Sequence, residues 1–252
     1  MTAALADWLC RSRRILVFCG AGISTASGIP DFRSPGGVWS RRRPVYYQDF
    51  MTSENARVEF WDLKLEIFEG YRGAEPNAVH HALVALERAG KLAALVTQNV
   101  DGLHRRAGSS SEVLVELHGT DSFVECQTCH AQSPQEPHLE RFRQTRQPPR
   151  CACGGFLKAA TISFGQALRP ADMQRAAAAA ETADLVISLG STLSVYPAAS
   201  IPLIAAARGT PYIIVNRGPS EHDDNRSLVL RLDGDVTEIV PTAVTAALKA
   251  EA

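Results

Sequence analysis

The 252-residue sequence predicts an α/β fold, a Rossmann-like parallel sheet with helices on both faces and a smaller lobe beside it. Three observations predict it. Short apolar runs rich in β-branched residues recur along the chain, each bounded by turn signals, as suits parallel strands buried on both faces. Helical segments fall between most of these runs, and strand–helix alternation makes an open parallel sheet. Two stretches, about 36–76 and 120–160, interrupt the alternation. They are expected to form the smaller lobe, leaving about 1–35, 77–119 and 161–252 for the larger one, all within a single domain spanning 1–252.

In chain order, a helix over 3–13 follows a candidate cap at Thr2, and Ile15–Cys19 is the first strand. Ser34-Pro35-Gly36-Gly37 starts the first interruption as a loop, which continues into a helix near 59–68. A helix over 77–89 lies between Pro76 and Gly90, a Pro-first, Gly-last frame. Strands come next at Leu92–Thr97 and 113–117. The second interruption carries four cysteines and a polar middle rich in Arg, Gln and Pro. An alanine-rich helix over 171–183 then precedes strands at Leu185–Leu189, 212–215 and 228–232.

Composition excludes several classes. Hydrophobic residues at 45% against 21% charged argue against a disordered chain. A net charge of -1 gives no overall field toward nucleic acid or an acidic membrane surface. The 22 Arg against 4 Lys are scattered along the chain, which reads as codon bias of a GC-rich bacterial genome. Residues 1–9 contain Asp7 and no apolar run, so they are not a signal peptide. The 23 uncharged residues 185–207 hold Gly190, Pro197 and Pro202, which suit a strand, loop and helix start better than a membrane span. A soluble, cytoplasmic protein is expected.

Cys10 and Cys19 sit in apolar segments as small buried hydrophobes. The other four cysteines form Cys126-x2-Cys129, twenty-one intervening residues, then Cys151-x-Cys153. Close pairs separated by a loop present four thiolates to one tetrahedral zinc ion. Two disulfides are the alternative, but nothing indicates an oxidising compartment. A zinc ribbon with one structural zinc is expected. The short Cys151–Cys153 spacing leaves His130 or His138 as the nearest replacement if only three cysteines bind. His80 and His81 lie on a helix without ligand partners one turn on, and read as core or surface fillers.

The first strand runs into Gly20-Ala21-Gly22-Ile23-Ser24. Glycines there let backbone amides approach a diphosphate that a following helix N-terminus stabilises. The dehydrogenase fingerprint is not met: Thr25 stands where a third Gly would sit, and Ser40-Arg41-Arg42-Arg43 occupies the region of the acidic ribose ligand. The chain continues instead with Ser27-Gly28-Ile29-Pro30-Asp31-Phe32-Arg33. Thr97-Gln98-Asn99-Val100-Asp101-Gly102-Leu103-His104 then ends one strand, and His118-Gly119 ends the next. Strand C-termini are where such a sheet binds ligands. Asn99 and Asp101 flank Val100, so on an extended segment their side chains share a side.

These blocks, in this order and followed by the four cysteines, resemble the sirtuin (Sir2-type) family of NAD-dependent protein deacylases, bacterial type. The likeness runs from about Gly20 to Val236 and includes Gly190-Ser191-Thr192, Asn216-Arg217-Gly218 and Gly234-Asp235-Val236. It implies NAD as co-substrate, contacted by the Gly20 to Ser24 segment, Asp31, Phe32, Arg33, Trp39, Gln98 to Asp101, and these later segments. In that reaction an acyl-lysine carbonyl oxygen joins C1′ of the nicotinamide ribose and nicotinamide leaves. A base then takes a ribose hydroxyl proton so that the oxygen attacks the resulting imidate. His118 is implied as that base, since imidazole can serve near neutral pH. Asn99 is implied at the ribose or a bound water, Asp101 at the nicotinamide carboxamide, Phe32 over its pocket and Arg33 at the phosphates. Phe164-Gly165 and Val195 match the segments that clamp an extended peptide by strand addition. Acyl-lysine proteins or peptides are thus the implied partners, with no direct nucleic-acid or membrane binding. Relatives that remove succinyl or malonyl groups carry a Tyr and an Arg where this chain has Lys64 and Ile67, so uncharged acyl groups are expected. ADP-ribosyl transfer or NAD hydrolysis in the same pocket, and a non-catalytic zinc-ribbon binding module, are the competing readings.

Overall fold

The computed structural model describes residues 2–30 and 42–251, so Asp31, Phe32, Arg33 and Trp39 lie outside the described residues. The chain begins with α1 (Thr2–Arg11), β1 (Ile15–Cys19), α2 (Tyr47–Thr52), α3 (Glu54–Tyr71), α4 (Ala78–Arg88) and β2 (Leu92–Thr97). Next come α5 (Leu103–Ala107), β3 (Leu114–Glu116), β4 (Gly119–Cys126), β5 (Gln132–Pro134), α6 (Glu136–Thr145) and β6 (Leu157–Thr161). It ends with α7 (Pro170–Thr182), β7 (Leu185–Leu189), α8 (Ser200–Ala207), β8 (Tyr212–Asn216), β9 (Leu228–Asp233) and α9 (Val236–Ala250).

Six strands form one parallel sheet in the order β3-β2-β1-β7-β8-β9. The order reverses between β1 and β7, which opens a crevice beyond their C-terminal ends. Strand β1 shows why both faces need cover. Ile15, Val17 and Cys19 pack with α1, α4 and α9, whereas Leu16 and Phe18 pack with α7 and α8. The alanines of α7 have a packing reason, since Ala176 and Ala180 are fully buried in that second face. Cys19 is also fully buried, and burial pushes its thiol pKa up, so it behaves as a small core residue.

Lys91 is buried without being idle. Its ammonium donates to the carbonyls of Leu9, Cys10 and Ser12 at 2.9 to 3.0 Å and pairs with Glu251 at 2.9 Å. A cation at the C-terminus of α1 satisfies carbonyls that have no partner inside the helix.

A second sheet, β5-β4-β6, is antiparallel and has its own core of Phe50, Phe60, Trp61, Val124, Phe142 and Leu157. Helices α2 and α3 contribute to it from the first interruption, and α6 from the second. Phe50 meets Phe60 edge-on at 5.0 Å between ring centroids.

Several boundaries differ from the sequence reading. The helix near 59–68 runs over Glu54–Tyr71, because the Ser53 side chain caps it by accepting from the Ala56 amide. The first helix stops at Arg11, where Ser12 turns its hydroxyl back onto the Trp8 carbonyl. The strand at 113–117 shortens to Leu114–Glu116, an edge strand paired only with β2. Residues 185–207 are β7, a loop and α8, and no helix among the described residues is long and apolar enough to cross a membrane.

Candidate active site

A cavity of about 730 Å³ occupies the crevice. The large sheet supplies Gly20, Ala21, Gly22, Gln98, Asn99, Val100, Gly190, Ser191, Thr192, Asn216, Arg217 and Val236 to its wall. His118, Asp121, Phe164, Gly165 and Val195 also line it, together with a face of α3. Ile23, Ser24, Asp101 and Gly218 stand outside this lining: Ile23 and Ser24 are buried beneath it, and Asp101 is reached through Ser24.

The glycines at the switch point serve chain packing directly. A Cβ on Gly20 would stand 2.7 Å from the Gly190 carbonyl oxygen, and one on Gly22 2.8 Å from the Gly190 Cα. Their amides are engaged there too, Gly20 on Leu189 at 2.9 Å and Gly22 on Gly190 at 2.9 Å. Among the described residues up to Pro30, no α-helix follows the glycines. Two short 3-10 turns, Ala21–Ile23 and Thr25–Ser27, stand there instead, with the Ile23 and Ser24 amides closing back on Gly20 and Ala21. Pro30 lies just beyond, and the residue before a proline is turned away from helix. The Gly20 and Gly22 amides are thus engaged within the chain, and the polar side chains around the loop are further candidate donors to a diphosphate.

Those side chains form one connected set. Asn99 Nδ2 donates to the Gly20 carbonyl at 3.1 Å and to Ser24 Oγ at 3.2 Å. Ser24 donates onward to Asp101 at 2.7 Å, so Asn99 and Asp101 do share a side of their segment. Asp101 also accepts from the Leu103 amide at 2.9 Å, the Asx-turn bond an Asp can make two residues along the chain. Burial raises the Asp101 pKa against these two hydrogen bonds. Gln98 Nε2 donates to Ser191 Oγ at 3.0 Å, and the Leu193 amide donates to the same oxygen at 3.1 Å. With its oxygen accepting twice, the Ser191 hydroxyl hydrogen is left for another acceptor.

His118 joins this set from the turn between β3 and β4. Its Nδ1 lies 2.9 Å from the Gln98 carbonyl oxygen, which can only accept, so Nδ1 carries the hydrogen. Nε2 then bears a lone pair. Burial lowers the His118 pKa below its ordinary 6.5, and the bond to Gln98 offsets this only in part. The ring is neutral at pH 7 and competent to take a proton.

Around the rest of the wall, the Phe164 carbonyl accepts from the Tyr47 amide at 2.9 Å and the Gly165 carbonyl from Gln48 Nε2 at 3.0 Å. The Val195 carbonyl accepts from the Ala199 amide at 2.8 Å. Asn216 ends β8 and folds its amide onto the Arg217 and Gly218 carbonyls, while Arg217 pairs with Asp235 at 3.0 Å. The sequence reading did not single out Phe60 and Leu63. With Lys64 and Ile67 they follow the i, i+3, i+4, i+7 rule of one helix face, the signal that could have found them.

The four clustered cysteines converge. Their sulfurs lie within 4.8 Å of one another, with Cys126 to Cys153 at 3.5 Å and Cys129 to Cys151 at 3.7 Å. These distances far exceed a disulfide bond of ~2.05 Å, so the disulfide alternative falls. The Cys129 and Thr128 amides point at the Cys126 sulfur and bring its pKa down to about 6, as befits a thiolate ligand. Gly155 leaves room beside it, since a Cβ there would lie 2.7 Å from that sulfur. This donor set fits a structural zinc ion. No histidine is needed: His130 contacts Glu125 and His138 contacts Ser133. His80 is buried, completes the capping box of α4 and lies tilted against His104 with ring centroids 4.9 Å apart, whereas His81 is exposed.

Comparison with known proteins places this geometry. A Sir2 family model matches residues 20–197. An NAD-dependent protein deacetylase 1 of Bradyrhizobium diazoefficiens is 43% identical over 91% of this chain and 90% of its own. A Sir2 protein solved with a p53 peptide and NAD+ superposes with a TM-score of 0.84 at 35% identity, covering 95% of each chain. A Sir2 variant solved with deacetylated p53 peptide and 3′-O-acetyl ADP-ribose superposes with a TM-score of 0.87 at 34% identity, covering 96% of each chain.

Proposed function

As the chain belongs to the Sir2 family, we propose that it is an NAD-dependent protein-lysine deacetylase with His118 as its base. The single observation that carries the assignment is the neutral His118 ring, tethered through Nδ1 to Gln98 on the wall of the crevice. Bound NAD supplies the ribose that receives the acyl group as nicotinamide leaves.

The residues of the chain do the rest. His118 Nε2 takes the proton from a ribose hydroxyl. Asn99, held by Gly20 and Ser24, presents its carbonyl oxygen to the sugar or a water. Asp101, backed by Ser24, receives the nicotinamide carboxamide. Ser191 and Thr192 donate hydroxyl hydrogens to the diphosphate. Gly20 to Gly22, Asn216, Arg217 and Val236 enclose the rest of the dinucleotide, with the Gly218 carbonyl holding the Asn216 amide behind them. Phe164, Gly165 and Val195 line the peptide entrance. Cys126, Cys129, Cys151 and Cys153 hold one zinc ion, whose shell of four thiolates leaves no position for water and makes it structural. The substrates are acyl-lysine proteins or peptides with uncharged acyl groups, in a cytoplasmic setting. The division into a large lobe and a small lobe over about 36–76 and 120–160 is supported by the separate aromatic core.

Mass spectrometry of products from an acetyl-lysine peptide, with and without NAD, tests the reading. The expected product is O-acetyl-ADP-ribose, formed only with NAD and lost in His118→Ala while NAD binding persists. Free ADP-ribose or an ADP-ribosylated protein instead would refute deacylation, and full turnover by His118→Ala would refute the base.

A further inference from the structure

The face of α3 that meets the cavity is apolar except at Lys64. The Lys64 ammonium lies 2.6 Å from an Asp121 carboxylate oxygen, and the two side chains are only 10% and 18% exposed. Both residues line the same cavity as His118 and Asn99. Asp121 is fixed in place, for its amide donates to the Val100 carbonyl at 2.8 Å, directly beside Asn99. A second amine stands behind the pair. Lys158 is buried, bonds the Ala159 and Thr161 carbonyls, and lies 5.4 Å from the Phe60 ring that Lys64 meets at 5.6 Å. Among the described residues of the lining, the other cation is Arg217, which is occupied by Asp235.

We propose that Asp121 determines which acyl groups the cavity admits, by holding Lys64 as its own counterion; this rests on the deacylase reading above. A neutral acyl chain meets a charge-balanced wall. An acyl group ending in a carboxylate meets an ammonium already paired and, beside it, the like charge of Asp121. Largely desolvated and without a partner, that carboxylate is rejected. Neutralising Asp121 reverses the balance: Lys64 becomes an unpaired cation with a second amine behind it, and the acyl carboxylate becomes its counterion. Asp121, not the cation alone, is therefore the specificity-determining residue.

The test measures kcat/KM with NAD for one peptide bearing acetyl-, butyryl- or succinyl-lysine. It compares the wild type, Asp121→Asn, and Asp121→Asn combined with Lys64→Met. The succinyl-to-acetyl ratio should rise at least tenfold in Asp121→Asn and fall back in the double variant. An unchanged ratio in a folded Asp121→Asn protein overturns the proposal, as does a wild type that already favours succinyl. Asp121→Ser replaces the Asn variant should that not fold. The wild type gives an independent reading, because a succinyl peptide that competes with the acetyl peptide as well as a butyryl one does would also overturn it. Failure is separable from that of the deacylase reading: acetyl turnover with an unmoved ratio sinks only the proposal, whereas absence of acetyl turnover sinks both.

Discussion

Replacing Gly119 by Ala should damage the protein more than any other single added methyl group in the site. Gly119 comes directly after His118, begins β4 and has φ of 74°, in the left-handed region. A Cβ there would stand 2.0 Å from the Ala160 carbonyl oxygen and 3.1 Å from the Thr161 Cα. Neither chain can easily give way. Gly119 pairs with Thr161 across β4 and β6, and the Ile162 amide donates to the His118 carbonyl at 2.8 Å. The left-handed backbone costs an L-residue about 1–2 kcal/mol, and relieving the overlap costs about 1–3 kcal/mol more. A total of about 2–5 kcal/mol corresponds to a Tm loss of roughly 4–20 °C at this chain length. Thermal melting of the zinc-loaded protein followed by circular dichroism measures it. Because the strain lies one residue from His118, turnover measured well below the melting range should fall as well. A Gly119→Ala protein that melts within roughly 2 °C of the wild type and turns over normally would refute the reasoning.

The other expectations concern protons and the metal. Because the His118 pKa lies below 6.5, deacylation should rise with pH through the acid range and reach its plateau by neutrality; a pH–rate profile still climbing above pH 7.5 would contradict a neutral base. His80 and His104 are held neutral by burial, with pKa values lowered to about 4 and about 3. An unfolded chain binds these protons near pH 6.5 and the folded one does not, so their stabilising contribution is full above pH 6.5 and declines as pH falls toward 4 and 3. Neither ring nitrogen of His104 has a partner among the described residues, so His104→Leu should reduce the loss of Tm between pH 7 and pH 5 without lowering Tm at pH 7. An unchanged slope in a melting series would count against this. Removing zinc should loosen β4 to β6 while the six-stranded sheet persists, since structural sites contribute on the order of 10 kcal/mol to folding in zinc-finger peptides. Hydrogen exchange reads this directly, and full protection of residues 119–161 after chelation would overturn it.

The sequence by itself determined the two periodic features of this protein and its densest motif. Strands buried on both faces are apolar throughout, so Ile15–Cys19, Leu92–Thr97 and Leu185–Leu189 were legible to the residue. The cysteine pairs announced a cluster because chain-adjacent thiols need only one long-range closure to meet. The parallel sheet was legible as well, since strands alternating with helices pair in parallel, whereas their order came from the structure. Local pattern failed where long-range contact decides. Strand β4 alternates weakly and begins at a glycine whose conformation only its partner strand explains, and α8 comes after a loop without a clear start signal. The Gly20–Gly22 turn has the look of an anion cradle, yet the amides of its two glycines are claimed by Leu189 and Gly190, 168 or more residues later in the chain. The pairing of Lys64 with Asp121 lies beyond any pattern, being made by two elements 57 residues apart along the chain. Spacing along a chain reports which residues share a face. Which charges neutralise each other, and which donors stay available, is set by approach in space, and only the tertiary structure decided that.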